Sequence, residues 1–183
     1  MKITITGTQL RAAMVNAATK HQRQALTGIY FDIENNKLVA SNANHMCITS
    51  ISCEYENGET RSYPNFILPQ FKVTRSVTNA IINYSGTNVI TVILFYKNGD
   101  TINQKVKAIN EIYPDYQGAI PKEARHVNES YFNACNLAII EKTFGKNATI
   151  KIQHFELNRS IVVSQKDNND ILVVMPVFDK YAK

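Results

Sequence analysis

A chain of 183 residues, 44% hydrophobic and 19% charged, has the balance of a globular protein and enough length for a real core. No apolar run approaches the ~20 residues that span a bilayer. Cys47, Cys53 and Cys135 are an odd number without CxxC spacing, which excludes a disulfide scaffold or zinc ribbon and reads as reduced, structural thiols in a cytoplasmic protein.

The N-terminal MKITITGTQL alternates apolar and polar residues, predicts a strand over Ile3 and Ile5, and lacks a signal-peptide apolar stretch. Leu10, Ala13, Met14, Ala17 and Ala18 then recur at helical spacing, so a helix is expected from Thr8, which can cap it, to about Thr19. Leu26 to Ile33, Lys37 to Ser41 and His45 to Tyr55 read as strands, the first two joined by the Asn35-Asn36 turn. The order then repeats. Asn65 to Leu68 reads as a strand, Gln70 to Tyr84 as a helix with Val73, Val77, Ala80 and Ile81 inward, and Asn88 to Tyr96 and Thr101 to Ile109 as a hairpin about Asn98-Gly99. After the segment YPDYQGAIP (113–121) it appears a third time: a helix from Glu129 to about Lys142, then strands over 148–157, 159–165 and 171–177. The expectation is an α+β fold of three βαβββ-like modules, antiparallel sheets outside and helices on one face.

Lys plus Arg number 20 against 15 Asp plus Glu, a formal charge of +5, and the acids are unevenly spread. Residues 1–31 and 60–99 contain none. The first stretch carries Arg11, Lys20 and Arg23, and the second carries Lys72 and Arg75 on its predicted helix. A face built from both stretches would be strongly positive and suited to sequence-independent contact with phosphates. No Gly-rich phosphate loop, nucleophile elbow or zinc signature is present, and no catalytic residue, metal or cofactor is expected. Asp115 reads as a turn residue, not a general base.

YPDYQGAIP resembles the (F/Y)PDY…P segment of the bacterial β sliding clamp, the ring that tethers DNA polymerase III to its template. Three further segments support the resemblance. LTGIYFDIE (26–34) is similar to the clamp's LNG-apolar-apolar-FE strand. LVASNANHMCI (38–48) is similar to its VATDGHRLA hairpin segment, and DILVVMPV (170–177) to its C-terminal VVMPM segment. The resemblance implies a DNA-clamp fold. A two-module domain over residues 1–112 resembles the clamp's middle domain, and a YPDY linker follows over 113–125. Residues 126–183 then form a single module like the last one of the clamp. The clamp's first domain and its penultimate module have no counterpart, which suits a shortened, phage- or prophage-encoded version.

In that family these segments converge on a hydrophobic pocket that takes short client peptides. By position the pocket would include Leu26, Ser41, Asn44, His45 and Met46 from the first module. The linker would add Pro114, Gly118 and Ala119, and the C-terminal segment Val173, Val174, Met175, Pro176 and Val177. The family's His-Arg pair stands here as Asn44-His45, and the Arg of its YPDY loop as Gly118. The resemblance also implies that the helices line a DNA-filled hole, with Arg11, Lys20, Arg23, Lys72 and Arg75 facing phosphates, and Lys142 and Lys146 as weaker candidates. The function expected is a non-enzymatic processivity factor that encircles duplex DNA, binds DNA polymerase and other clamp-binding proteins, and is served by a clamp loader. Twelve modules per ring at three per chain suggest a homotetramer. The third module is expected to pair its sheet edge with another subunit. The alternative is a clamp mimic that binds client peptides without enclosing DNA.

Overall fold

The computed structural model describes residues 1–55, 63–122, 131–155, 160–166 and 169–176. Strand β1 (Lys2–Thr6) runs straight into helix α1 (Gly7–Asn16). Thr6 makes the turn possible: its hydroxyl accepts from the Gln9 amide at 3.2 Å while the Gln9 side chain accepts from the Thr6 amide at 3.0 Å, a reciprocal capping box. A short 3-10 turn (Gln24–Thr27) leads to β2 (Gly28–Asp32), β3 (Lys37–Ser41), β4 (His45–Ser50) and the three-residue β5 (Ser52–Glu54). Then come β6 (Phe66–Pro69), β7 (Val77–Tyr84), β8 (Val89–Tyr96) and β9 (Thr101–Lys107). The last part holds helix α2 (Ala134–Phe144), β10 (Ile150–Gln153), β11 (Ile161–Gln165) and β12 (Ile171–Val174).

The mixed α+β, antiparallel architecture is as expected, with one large correction. The helix predicted over Gln70 to Tyr84 does not form: residues 70–76 are irregular and Val77–Tyr84 is the long strand β7. The reason lies in the residues. Val73, Thr74, Val77, Thr78, Ile81 and Ile82 are β-branched, and branched side chains fit a pleated sheet better than a helix. Ala80, Ile82 and Tyr84 alternate into the core, a period of two that the helical reading of Val77, Ala80 and Ile81 obscured. A register irregularity between Val77 and Asn79 breaks the alternation at the strand's start. Lys72 and Arg75 therefore sit on a loop. The first and third helices form, but the first ends at Asn16 instead of near Thr19, and the third starts at Ala134, with residues 131–133 outside it and Glu129 outside the described residues.

Two antiparallel sheets result, one of five strands in the order β5-β1-β7-β8-β9 and one of seven in the order β10-β11-β12-β4-β3-β2-β6. The seven-stranded sheet corrects a second expectation. Strand β12 pairs within the chain, with β4, placing Val173 opposite Met46 and Leu172 opposite Cys47. The first and third modules thus share one sheet: the β12 side of the third module has its partner within the chain, and β10 is the edge left open.

Three cores follow from the period-two alternation of this sheet. Leu38 and Ala40 of β3, with Ile29, Phe31, Phe66 and Leu68, face α1 and the five-stranded sheet; this is the main core. Cys47, Leu172, Val174, Ile161 and Val163 face α2. Val39, Met46, Ile48, Val162 and Val173 point to the opposite face of the sheet, where Tyr113 and Tyr116 cover them. No helix among the described residues is long and apolar enough to cross a membrane.

Candidate peptide site and basic residues

The YPDY segment folds back over the outer face of the seven-stranded sheet. Tyr113 stacks on Tyr30 of β2 with ring centroids 4.7 Å apart and planes 5° from parallel. Tyr116 meets the same ring edge-on at 6.2 Å. Tyr30 thereby carries two aromatic contacts, each worth about 0.5–1.5 kcal/mol beyond area burial. The Tyr116 hydroxyl donates at 2.8 Å to Oδ2 of buried Asp32, which also accepts from the Asn35 backbone and side-chain amides at 3.0 and 2.9 Å. Burial, together with the bond to Asp32, pushes the Tyr116 phenol up to about 12. Asp115 is the turn residue expected: its Oδ1 accepts from the amides of Gln117 and Gly118 at 3.0 and 3.2 Å and opens the short 3-10 helix Gln117–Ala119. Tyr116→Phe removes one donor from a buried carboxylate. Thermal or urea unfolding should show a loss of about 1–3 kcal/mol, with Tyr113 still stacked.

Between this segment and the sheet lies a cavity of about 190 Å³. Eight of the thirteen residues assigned to a pocket from sequence line it: Leu26, Ser41, His45, Met46, Pro114, Ala119, Val173 and Met175. The sequence reading missed five others, Arg23, Ala43, Tyr113, Asp115 and Tyr116, three of which belong to the YPDY motif itself. Val174 is misplaced for a simple reason: next to Val173 on a strand, it points to the α2 core. Asn44 is exposed, its carbonyl accepting from the Met175 amide at 2.9 Å, and fixes the pocket rim by backbone only. Gly118 is exposed and outside the lining, and Pro176 follows Met175 without joining the wall. Val177 lies outside the described residues.

The rim turn Ser41-Asn42-Ala43-Asn44 is held by side chains. Asn42 Oδ1 accepts from the amides of Asn44 and His45, each at 3.0 Å, and the Ser41 hydroxyl donates to the His45 carbonyl at 2.9 Å. Ala43 sits at φ 74°, where an L residue is strained, and it stands at the glycine of the VATDGHRLA pattern. Ala43→Gly should raise stability by about 1 kcal/mol, measured by chemical denaturation, because glycine adopts that φ freely.

His45 anchors this rim to the helices. Its Nδ1 lies 2.7 Å from Asn16 Oδ1 at the end of α1, and its Nε2 lies 2.9 Å from Asn42 Nδ2. Asn16 Nδ2 donates at 2.8 Å to both the Ala12 carbonyl and the Thr143 hydroxyl of α2. Asn42 Oδ1 is already taken by two amides, so Asn42 presents its NH₂ to the ring. The imidazole is thus assigned neutral, with the proton on Nδ1. Burial, with Lys142 nearby, pushes its pKa down to about 4.

The five cations assigned to DNA contact stand in different settings. Arg23 lines the pocket. Arg11 is half-buried, and its guanidinium donates to the carbonyls of Thr74 and Val77 at 3.2 and 2.8 Å and to the Thr8 hydroxyl at 3.1 Å. It braces the loop that replaces the second helix. Burial and the nearby Arg75 charge lower its pKa. Arg75 and Lys72 are exposed on that loop, and Lys20 is exposed beyond α1. Among the described residues no group of His, Cys, Asp and Glu is placed to hold a metal.

This arrangement, two antiparallel sheets with packed helices, is the fold of the sliding clamps. The DNA polymerase sliding clamp of Bacillus subtilis superposes with a TM-score of 0.69 at 14% identity, over 98% of this chain and 64% of that one. The DNA polymerase III β subunit of Pseudomonas aeruginosa gives 0.70 at 16% identity, over 97% and 66%. The sliding clamp of Bartonella birtlesii, solved bound to griselimycin, gives 0.73 at 15% identity, over 97% and 66%. No protein-family model and no curated protein sequence matches the chain. The chain therefore has the sliding-clamp fold and spans about two-thirds of the length of those clamps.

Proposed function

We propose that this protein is a shortened sliding clamp: a non-enzymatic processivity factor that encircles duplex DNA as a homo-oligomeric ring, four chains supplying twelve modules, and recruits polymerase and other replication proteins through a peptide pocket. The observation that carries this reading is the cavity beneath the YPDY strap. Segments distant in sequence (23–26, 41–46, 113–119 and 173–175) meet there around an apolar floor of Leu26, Met46, Val173 and Met175. An apolar socket rimmed by strand ends accepts an extended peptide's side chains and backbone together, and methionines let it adapt. A fluorescent peptide with Leu and Phe anchors should bind with micromolar affinity. Half-buried Met175, changed to Glu, should weaken binding at least tenfold by placing an unpaired charge in the socket. Equal binding by both proteins would end the pocket assignment. For the ring, protein loaded on closed circular DNA, with a clamp loader supplied where needed, should be retained and then lost on linearisation.

A second reading has its own support. The second helix expected to face DNA is a loop and a strand instead, and Arg11 is occupied by backbone carbonyls. That leaves fewer cations for phosphates than a DNA-lined hole would use. A clamp mimic, binding client peptides without enclosing DNA, fits these two facts. It would bind the peptide and fail the circle assay.

A further inference from the structure

We infer that the cavity between the start of α1 and the end of α2 is a second binding site, for an ammonium or guanidinium group carried on a short aliphatic chain. The cavity has a volume of about 260 Å³, larger than the one beneath the YPDY strap. It lies on the other face of the seven-stranded sheet. Cys47 stands in its wall, on the α2 side, whereas Met46, the neighbour of Cys47 on β4, belongs to the YPDY side. The apolar part of the wall is Ala12, Cys47 and Phe144. The polar part is Thr8, Thr143, Gln165 and Asp170, joined by the Thr6-Gln9 capping box.

Among the described residues, Asp170 is the one charged side chain in this wall. A relay of hydrogen bonds fixes it. Gln9 Nε2 donates at 3.1 Å to both the Thr49 hydroxyl and the Ser50 carbonyl, and the Thr49 hydroxyl donates to Asp170 Oδ1. Thr49 is fully buried, and Gln9 Oε1 accepts from the amide and the hydroxyl of Thr6, each at 3.0 Å. Neither link can turn without breaking other bonds. The helix ends modulate the field. The cavity meets the last two residues of α2, Thr143 and Phe144, where unpaired carbonyls amount to about half a negative charge. It also meets the first turn of α1, worth about half a positive charge, but there the Thr6 hydroxyl already serves the Gln9 amide. The two ends offset, and the whole negative charge of Asp170 decides the sign. Arg11, bonded to the Thr8 hydroxyl, is committed to the Thr74 and Val77 carbonyls.

The wall therefore suits a ligand rich in N–H donors. A carboxylate has about four acceptor sites, so the Thr49 bond leaves Asp170 able to take a cation. Gln165 Oε1 and the Thr8 hydroxyl oxygen can accept further N–H groups. The methylenes of the ligand would lie on Ala12, Phe144 and Cys47. Burial, with Asp170 nearby, pushes the Cys47 thiol up to about 12, so it offers a neutral, polarisable surface and not a thiolate. An anion would face Asp170 without a cation in the wall. A purely apolar ligand would strip water from the carboxylate and give it nothing in return. The chemistry is shared by a free amine such as agmatine and by an Arg or Lys side chain of another protein. The inference depends on neither the peptide pocket nor DNA encirclement.

Calorimetric titration and amide NMR of the whole chain, with agmatine and with acetyl-arginine methylamide as probes at low salt, test it. Agmatine should bind with a Kd of about 1 mM. It should shift the amide signals of Thr8, Gln165 and Asp170 and leave those of Tyr113 and Met175 in place. Asp170→Asn keeps an oxygen for the Thr49 hydroxyl and removes the charge, and it should weaken agmatine at least tenfold. Gln165→Lys, at a half-buried position, sets an internal ammonium beside the intact carboxylate and should weaken agmatine as much. Should Asp170→Asn fail to fold, Gln165→Lys carries the test. Binding of both probes supports the site with a protein side chain as occupant, and binding of agmatine alone supports it with a free amine. No agmatine binding at about 10 mM, equal binding by folded Asp170→Asn and the native chain, or tighter binding of inorganic phosphate than of agmatine would overturn the inference.

Discussion

Gly7→Ala should be among the most damaging single-methyl additions this protein can suffer. A Cβ built on Gly7 would lie 2.0 Å from the Val77 carbonyl oxygen and 2.7 Å from its carbon. Both are backbone atoms, so no side-chain rotation relieves the clash. Gly7 is the first residue of α1, fixed on one side by the Thr6 capping box and on the other by Arg11, whose guanidinium grips the same Val77 oxygen at 2.8 Å. Moving α1 away breaks that bond and opens the main core around Leu10 and Ala80. Overpacking of this kind costs about 3 kcal/mol or more, a fall in Tm of roughly 10 °C for a chain of this size. Gly99→Ala is the control. Gly99 has φ 88° and open space around it, so alanine there meets only dihedral strain of about 1 kcal/mol. Calorimetry that found the two variants equal would show that α1 can slide off β7 cheaply.

The same contact explains why part of the fold was legible in the sequence and part was not. The first module could be read because most signals were local: alternation on β1 and β3, helical spacing of Leu10, Ala13 and Met14, and Asn35-Asn36 at a hairpin; the cap expected at Thr8 is made by Thr6 instead. The pocket could be placed because its walls are short contiguous motifs, and eight assigned residues do meet. Errors arose where the deciding partner was far away. Val77, Ala80 and Ile81 satisfy a helical period as well as a strand, and the choice between them is made by β1 and β8 pairing on either side of β7. Arg11 looked like a free cation because the carbonyls it serves are more than sixty residues away. The β12–β4 pairing spans more than 120 residues, and nothing in either strand's composition names the other. That one pairing puts Val173 over the pocket and Val174 under α2, which no count of apolar residues could decide.

It also brings the third module's helix within reach of His45, and this sets the second large effect, a loss of stability in mild acid. In the folded state His45 has a pKa of about 4, against about 6.5 when unfolded. Above pH 6.5 neither state binds this proton and stability is independent of it. Between pH 6.5 and 4 the unfolded state binds the proton and the folded state does not, so stability falls as pH falls. Below pH 4 both bind it and the loss levels off, at about 3 kcal/mol in all. The physical cause is specific. A proton on Nε2 would face the Asn42 NH₂ at 2.9 Å, and Asn42 cannot turn without surrendering the amides of Asn44 and His45. The charge would be buried beside Asn16 and near the cationic Lys142. His45→Gln should be less stable than the native chain at pH 7.5, because it breaks the link between the pocket rim and both helices. Its stability should nevertheless fall less steeply from pH 6.5 to 4, so that urea midpoints of the two proteins converge in acid. Parallel midpoints over that range would mean that the imidazole is protonated in place and that the α1–α2 junction opens to let water reach it.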